Sequence, residues 1–404
     1  MNANDRAIVG LVMIGHAMVH TYELSIPILM TVWLAELEVS TSVLGAAAMA
    51  GYALFGLGAL PSGILVDRLG SRRLIVACLA GMGAAFGLLS LAQNVWTITV
   101  ALVAWGAAAS LYHPAGLSLI STGVQARGHA FALHGMAGNA GIALGPLLTA
   151  LLLIGLDWPW VTAVLALPAG GATVYAARAA FDEHAAEAPG TDTAPAASPL
   201  RRLWTSSRQL FATGFAAVFA IVMLSGLYYR GALTFLPEVL TPLVALDLPV
   251  DLEPGRYVYA GLLMVGIGGQ YVGGRLTDWM RTERAMAVAF LALAGIAAAF
   301  LPVARTGTAG LVAISVALGF VLFLVQPLYQ ATVALYTPTR VRGLSYGFTY
   351  LGVFGVGALG AALAGALLQF VSPTALFLLL AGLAALAALV SGWLALRPRP
   401  TVAS

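Results

Sequence analysis

The stretch GILVDRLGSRR, residues 63–73, crowds two glycines, one acid and three arginines between apolar runs at 43–66 and 74–92. A helix rises 1.5 Å per residue, so each run is about long enough to cross a hydrocarbon core of roughly 30 Å. The charged stretch therefore reads as a turn joining two membrane-crossing helices. Outward from it the pattern repeats, with further runs at 7–33, 96–122, 130–154 and 159–180. A second set lies at 209–236, 257–276, 285–303, 308–336, 342–370 and 372–396. Composition agrees: of 404 residues, 60% are hydrophobic and 9% charged, whereas soluble domains are about 25% charged. Runs of this length without strict alternation are helices, which satisfy their own backbone in lipid, rather than barrel strands. The expected class is an all-α membrane protein of twelve transmembrane helices. The first run is too long for a signal-peptide core and is read as a retained span.

Every cation is an arginine, and most stand beside helix ends. Arg68, Arg72, Arg73, Arg127, Arg178, Arg201, Arg202, Arg281, Arg284, Arg340, Arg342, Arg397 and Arg399 fall in alternate connections, while the opposite connections hold chiefly Arg256 and Arg305. The positive-inside rule then puts both termini and the central loop in the cytoplasm of a plasma- or inner-membrane protein. The net charge of +3 is explained by topology and lipid contact, and no nucleic acid partner is expected. The single Cys78 excludes an internal disulfide. No G-x4-G-K-[ST] loop is present, which excludes direct drive by ATP.

Residues 181–207 form the one long polar stretch, rich in Ala, Pro, Thr and acids, at the midpoint of the chain. We read a cytoplasmic linker there, between six-helix bundles at 1–180 and 208–404. The halves echo one another: Gly63 and Asp67 reappear as Gly274 and Asp278, Arg127-Gly128 as Arg342-Gly343, and Pro114 as Pro327, at offsets of 211 to 215 residues. Such duplication is typical of transporters, whose site lies at the repeat interface near the bilayer midplane. Glycines along 135–145 and 352–365 would let helices approach closely.

The form G-x3-D-R-x-G-x-R-R at 63–73, with its degenerate copy from Gly274 through Asp278 to Arg284, resembles the signature of the major facilitator superfamily. The resemblance covers essentially the whole chain. It implies two pseudo-symmetric six-helix bundles and a cytoplasmic gate built from Gly63, Asp67, Arg68, Gly70, Arg72, Arg73, Arg127 and Asp278. In that gate Asp67 is implied to pair with a base such as Arg127. Gly15-His16 with Pro27, Tyr112-His113-Pro114, and Gly138-Asn139-x-Gly141-x3-Gly145-Pro146 are similar to the fosmidomycin-resistance branch of exporters. The sequence departs from drug/proton exchangers in two places. Thr149-Ala150 stand where their motif continues with glycines, and no arginine occurs from Val95 to Thr122.

Ionisable residues inside apolar runs cost roughly 2.5–3.5 kcal/mol each on insertion scales and so mark function. His16, His20, Glu23 and Pro27 follow i, i+4, i+7, i+11 and share one face within roughly 60°. Arg230, in the corresponding helix of the second half, is the natural partner of Glu23. Pro114 cannot donate to the carbonyl of Ser110, so it should kink its helix and turn His113 inward; Pro327 should do the same beside Gln326. With Asn139, these make the expected substrate and proton cavity: His16, His20, Glu23, His113, Asn139, Arg230 and Gln326. The expectation is a monomeric, cofactor-free secondary transporter that works by alternating access, with proton-coupled export of a small organic solute. A transition-metal transporter using His16 and His20, with His134, Met13, Met18 and Met136, is the alternative. An intramembrane metalloprotease is disfavoured, since no glutamate directly follows His16, where a zinc protease motif has one.

Overall fold

Four of the helices start where a polar side chain satisfies the first free amides. Asn2 accepts from the amide of Asp5, Ser40 from Val43, Asn94 from Trp96 and Thr97, and Ser372 from Ala375. The computed structural model describes residues 1–186, 199–244, 253–337 and 342–399. Arg340 and residues 187–198 of the expected linker lie outside the described residues, as do the side chains of Arg201, Arg202 and Arg342.

Among the described residues, twelve helical segments correspond to the twelve apolar runs, with a short helix at Leu236–Leu240 besides. They are α1 (Ala3–Glu36), α2 (Thr41–Leu57 continued by Ala59–Leu69), α3 (Ser71–Leu89), α4 (Val95–Ala109 continued by Tyr112–Gly123), α5 (Arg127–Leu152) and α6 (Trp158–Arg178). Next come α7 (Pro199–Leu210, a π turn at Phe211–Phe215, then Ala216–Leu233), α8 (Pro254–Trp279), α9 (Thr282–Ala304) and α10 (Thr308–Leu335). Last are α11 (Arg342–Tyr350, a π turn at Leu351–Val356, then Leu359–Phe370) and α12 (Pro373–Ala395). Ten are long and apolar enough to cross a membrane by themselves, and α2, bent by 44° at Gly58, makes an eleventh. The twelfth, α8, has the length but carries Arg256, Gln270, Arg275 and Asp278.

Breaks follow local chemistry. α4 is interrupted at Ser110–Leu111, one turn before Pro114, as the missing amide requires. Around Pro327, by contrast, α10 is continuous from Thr308 to Leu335. Gly70 takes φ +82° in the turn between α2 and α3, a conformation that costs a side-chain-bearing residue roughly 1–2 kcal/mol.

In the first half α1 packs on α5, α2 on α4, and α3 on α4 and α6; in the second, α7 packs on α11 and α12, α8 on α10, and α9 on α10 and α12. The two sets meet along α2 with α11 and α5 with α8. α2 follows α11 from Thr41 against Gly365, through Gly56 against Gly355, to Leu60 against Gly347. Hydrogen bonds across the halves gather toward the end opposite residues 63–73. There Arg256 Nε donates to Thr31 Oγ1 (2.9 Å), Thr41 Oγ1 to the Gly365 carbonyl (2.9 Å), and the Tyr257 hydroxyl to the Ala150 carbonyl (3.4 Å).

At the arginine-rich end the expected gate takes another form. Asp67, Arg68, Arg73 and Asp278 are exposed. Arg127 donates to the Ala186 carbonyl (3.1 Å) rather than to Asp67. Arg72 donates to the carbonyls of Ala176 (3.2 Å) and Ala177 (2.7 Å) at the end of α6. A Cβ on Gly63 would meet nothing within 4 Å, so this glycine is not a helix contact here. Loop residues rather than helix faces choose these partners. Glu183, just past α6, accepts from the amides of Ser71 (2.9 Å) and Arg72 (3.4 Å) and so caps the positive end of α3.

Candidate functional site

The helical period puts His16, His20 and Glu23 on one face of α1, and tertiary packing decides what that face meets. On α5 the expected close approach holds at three of four glycines. A Cβ on Gly138 would overlap the His16 imidazole, one on Gly141 the Ala17 backbone, and one on Gly145 the Thr21 backbone. Gly135 is the exception, with nothing within 4 Å. Because Gly138 yields room, His16 lies flat on His134 of α5, ring centres 3.8 Å apart and 12° from parallel. His113, at the start of the second piece of α4, stands 5.3 Å from His16 and 5.6 Å from His20. Four of the six histidines of the chain thus converge on one spot.

A continuous hydrogen-bond chain runs through them. His16 Nδ1 donates to the His134 carbonyl (2.7 Å), His16 Nε2 meets His20 Nε2 (3.1 Å), and His20 Nδ1 meets Glu23 Oε2 at 2.5 Å. The other oxygen of Glu23 accepts from Arg230 Nη2 on α7. Glu23 is fully buried and Arg230 is 1% exposed. The Arg230 guanidinium lies 3.7 Å above the Tyr52 ring, with the rings of Tyr229 and Phe354 at 5.4 and 5.5 Å. The Tyr52 hydroxyl in turn donates to the Glu23 carbonyl (3.3 Å).

The chain has a fixed proton requirement. Three links, from the His134 carbonyl to Glu23, need three protons. Two neutral imidazoles bring two, and an ionised carboxylate brings none. All three links close only with one additional proton, carried on His16, His20 or Glu23.

Several neighbours hold polar atoms in reserve. Among the described residues, His113, 5% exposed, has no partner for either ring nitrogen, and His134 Nε2 and Arg230 Nε are likewise buried without partners. His113 is stacked on Tyr350 of α11 (4.4 Å, 16°) and flanked by Phe55 of α2 (5.8 Å) and Phe354 of α11 (6.1 Å). This aromatic stack joins the two halves beside the proton-bearing chain.

Two expected members lie elsewhere. Gln326 accepts from Gln270 Nε2 (2.8 Å) and ties α10 to α8. Asn139 is half-buried on α5 and joins none of the links described. Conversely, Tyr52 was not singled out from sequence, although it is the sole N- or O-bearing side chain between Ser42 and Ser62.

Fit to a metal ion is poor. Nitrogens of His16, His20 and His113 lie within 4.8 Å of one another. A tetrahedral ion at about 2.1 Å from each would need them roughly 3.4 Å apart. His16 Nδ1 is already committed to a carbonyl, Met136 is 64% exposed, and the Arg230 guanidinium opposes a second cation.

Comparison with known proteins gives a consistent picture. The family model described as Major Facilitator Superfamily matches residues 11–361. Two curated relatives from Mycobacterium tuberculosis, the uncharacterized MFS-type transporter Rv0849 of strain H37Rv and its counterpart MT0872 of strain CDC 1551, are each 29% identical over 315 residues. Each alignment covers 74% of this chain and 70% of the relative. Among solved structures, a bacterial homolog of the human lysosomal transporter Spinster, inward-facing and occupied, superposes with a TM-score of 0.74 at 13% identity, over 98% of this chain and 97% of its own. The nucleoside transporter NupG gives 0.76 at 13% identity over 96% and 99% of the chains. The peptide transporter POT, in complex with sulfate, gives 0.74 at 14% identity over 96% and 94%. At these identities the structures bear on fold alone.

Proposed function

Because this chain belongs to the Major Facilitator Superfamily, we propose that it is a secondary transporter that moves a small organic solute by alternating access, coupled to protons through Glu23 and the histidines beside it. The observation that carries the reading is the chain from His134 through His16 and His20 to Glu23, which closes only with one proton in excess. The chain joins a carboxylate held by α7 to His16, which stays partly exposed in the middle of the bundle.

Alternating access follows from where the halves hold one another. We take residues 1–180 and 208–404 as the two moving bundles and 181–207 as their linker. Their hydrogen bonds, among the described residues, gather at the end opposite the arginine-rich loops, while Asp67 and Asp278 stay exposed. We assign that arginine-rich end to the cytoplasm and read this conformation as closed on the outer side. Glu23 and Arg230 sit beneath the closure, so loss of their pairing would release α1 from α7.

The test is growth of a sensitive bacterial host with wild type or Glu23→Gln, over graded panels of antibiotics and organic acids. Everted vesicles with a pH-reporting dye would then be given the compound so identified. The expected result is a compound whose wild-type phenotype disappears in Glu23→Gln and whose addition changes the vesicle pH. Transport that continues with no movement of protons would overturn the reading.

A further inference from the structure

The charges of the site do not cancel. Arg230 and the additional proton of the histidine chain place two positive charges against the one carboxylate of Glu23, where Glu23 is fully buried and Arg230 1% exposed. Buried charge is costly unless paired. Facing Glu23 are the imidazole of His20, the guanidinium of Arg230 and the phenols of Tyr52, Tyr229, Tyr259 and Tyr329. Among these Glu23 is the sole carboxylate.

A shift of the shared proton from His20 Nδ1 to Glu23 Oε2 breaks one N–H bond as it forms one O–H bond, and leaves a neutral imidazole and a neutral acid. Arg230 then loses its counter-charge. Its Nη2 then holds only a neutral oxygen of Glu23 and can be given up to a stronger acceptor; beside it Nε lacks a partner among the described residues, and the two together form the planar fork that matches a carboxylate. The guanidinium keeps its place on Tyr52, so the fork is held without a new conformation. Next to it, against the same Phe354 ring, His113 presents two unpartnered nitrogens beside Tyr350.

We propose that the solute is a small organic anion, with a carboxylate or similar planar oxyanion and an adjoining flat apolar part. It binds Arg230 in place of the Glu23 carboxylate, and only when Glu23 carries the proton. His113 and Tyr350 receive the flat part, so the ligand touches both halves. One proton and one negative charge then share the same binding event, and the loaded site is electrically balanced. The coupling is therefore co-transport, in which the proton and the anion cross in the same direction. The inference rests on the proton-coupled reading.

The test uses purified full-length protein in detergent, with benzoate, benzamide and benzylammonium as probes that share a ring and differ in charge. Saturable thermal stabilisation is measured at pH 6 and pH 8. Wild type is expected to respond to benzoate alone, with apparent affinity falling up to tenfold per pH unit across the titration. Glu23→Gln, a neutral mimic of the protonated acid, should bind benzoate equally at both pH values, with at least the affinity of wild type at pH 6. Benzamide or benzylammonium matching benzoate would overturn the proposal, as would Glu23→Gln failing to respond to benzoate at tens of millimolar. Benzoate binding by wild type that ignores pH would also overturn it. If vesicles move protons with a solute while benzoate binds neither protein, the anion class falls and the proton-coupled reading stands.

Discussion

The Glu23–Arg230 pair yields a prediction that can be worked through numerically. Both side chains are essentially out of solvent, at 0% and 2% side-chain exposure. Removing one partner of a buried pair leaves an uncompensated charge and costs about 3–5 kcal/mol. Arg230→Met should fall at the low end of that range, since it leaves Glu23 only its link to His20 and also forfeits the stack on Tyr52 at 3.7 Å, itself worth up to about 2 kcal/mol when desolvated. Glu23→Gln keeps the shape and strands Arg230, at a similar cost. The double variant leaves no stranded charge and should recover most of the loss, to within about 2 kcal/mol of wild type, the residue being the lost stack. The coupling energy from the cycle should therefore be at least about 3 kcal/mol. Unfolding by added dodecyl sulfate in mixed micelles, followed by tryptophan fluorescence, provides the assay. A coupling under about 0.5 kcal/mol, the value of an exposed pair, would refute the claim that these charges depend on one another. The cycle also separates folding from transport. A transport defect in Glu23→Gln or Arg230→Ala is therefore read beside the measured stability and expression of that variant, since each single change destabilises the protein.

Other outcomes follow from the same geometry. Gly138→Val should drive His16 off His134 and abolish solute-linked proton movement in vesicles, whereas Gly135→Val, with nothing within 4 Å, should behave as wild type; equal effects would unseat the helix crossing as the organiser of the site. His20→Phe severs the chain at both its 3.1 Å and 2.5 Å links, so solute flux should lose its dependence on an imposed pH gradient, and a preserved dependence would place the proton elsewhere. Cys78 is fully buried, so the wild-type protein in membranes should resist a permeant maleimide. A cysteine introduced at the exposed Asp67 should label rapidly from the cytoplasmic side; labelling from the outer side would reverse the topology.

Legibility differed sharply between the halves of the problem. Twelve apolar runs gave twelve helices because the cost of unpaired backbone in lipid acts within each segment and needs no partner. The break before Pro114 was readable for the same local reason, while α10 is continuous around Pro327. The stripe of His16, His20 and Glu23 came from helical period alone. Arg230 came from the argument that a buried carboxylate requires a cation, and the two do meet.

What sequence left open were choices made by rotation and crossing. Whether Gln326 faces the histidines or Gln270 depends on how α10 turns against α8, and the 2.8 Å pair with Gln270 was the outcome. Arg127 reaches Ala186 rather than Asp67 because residues just past α6 fold back over the first bundle, as the bonds of Asp182 to Asn4 and of Glu183 to Thr122 record. Nothing in the spacing of His134, Tyr52 or His113 announces that they surround one buried pair. The sequence by itself determined where the chain crosses and which side chains could not be left in lipid. The tertiary structure alone decided which of those groups share protons, because that depends on contacts of 2.5–3.1 Å between faces that periodicity defines but does not bring together.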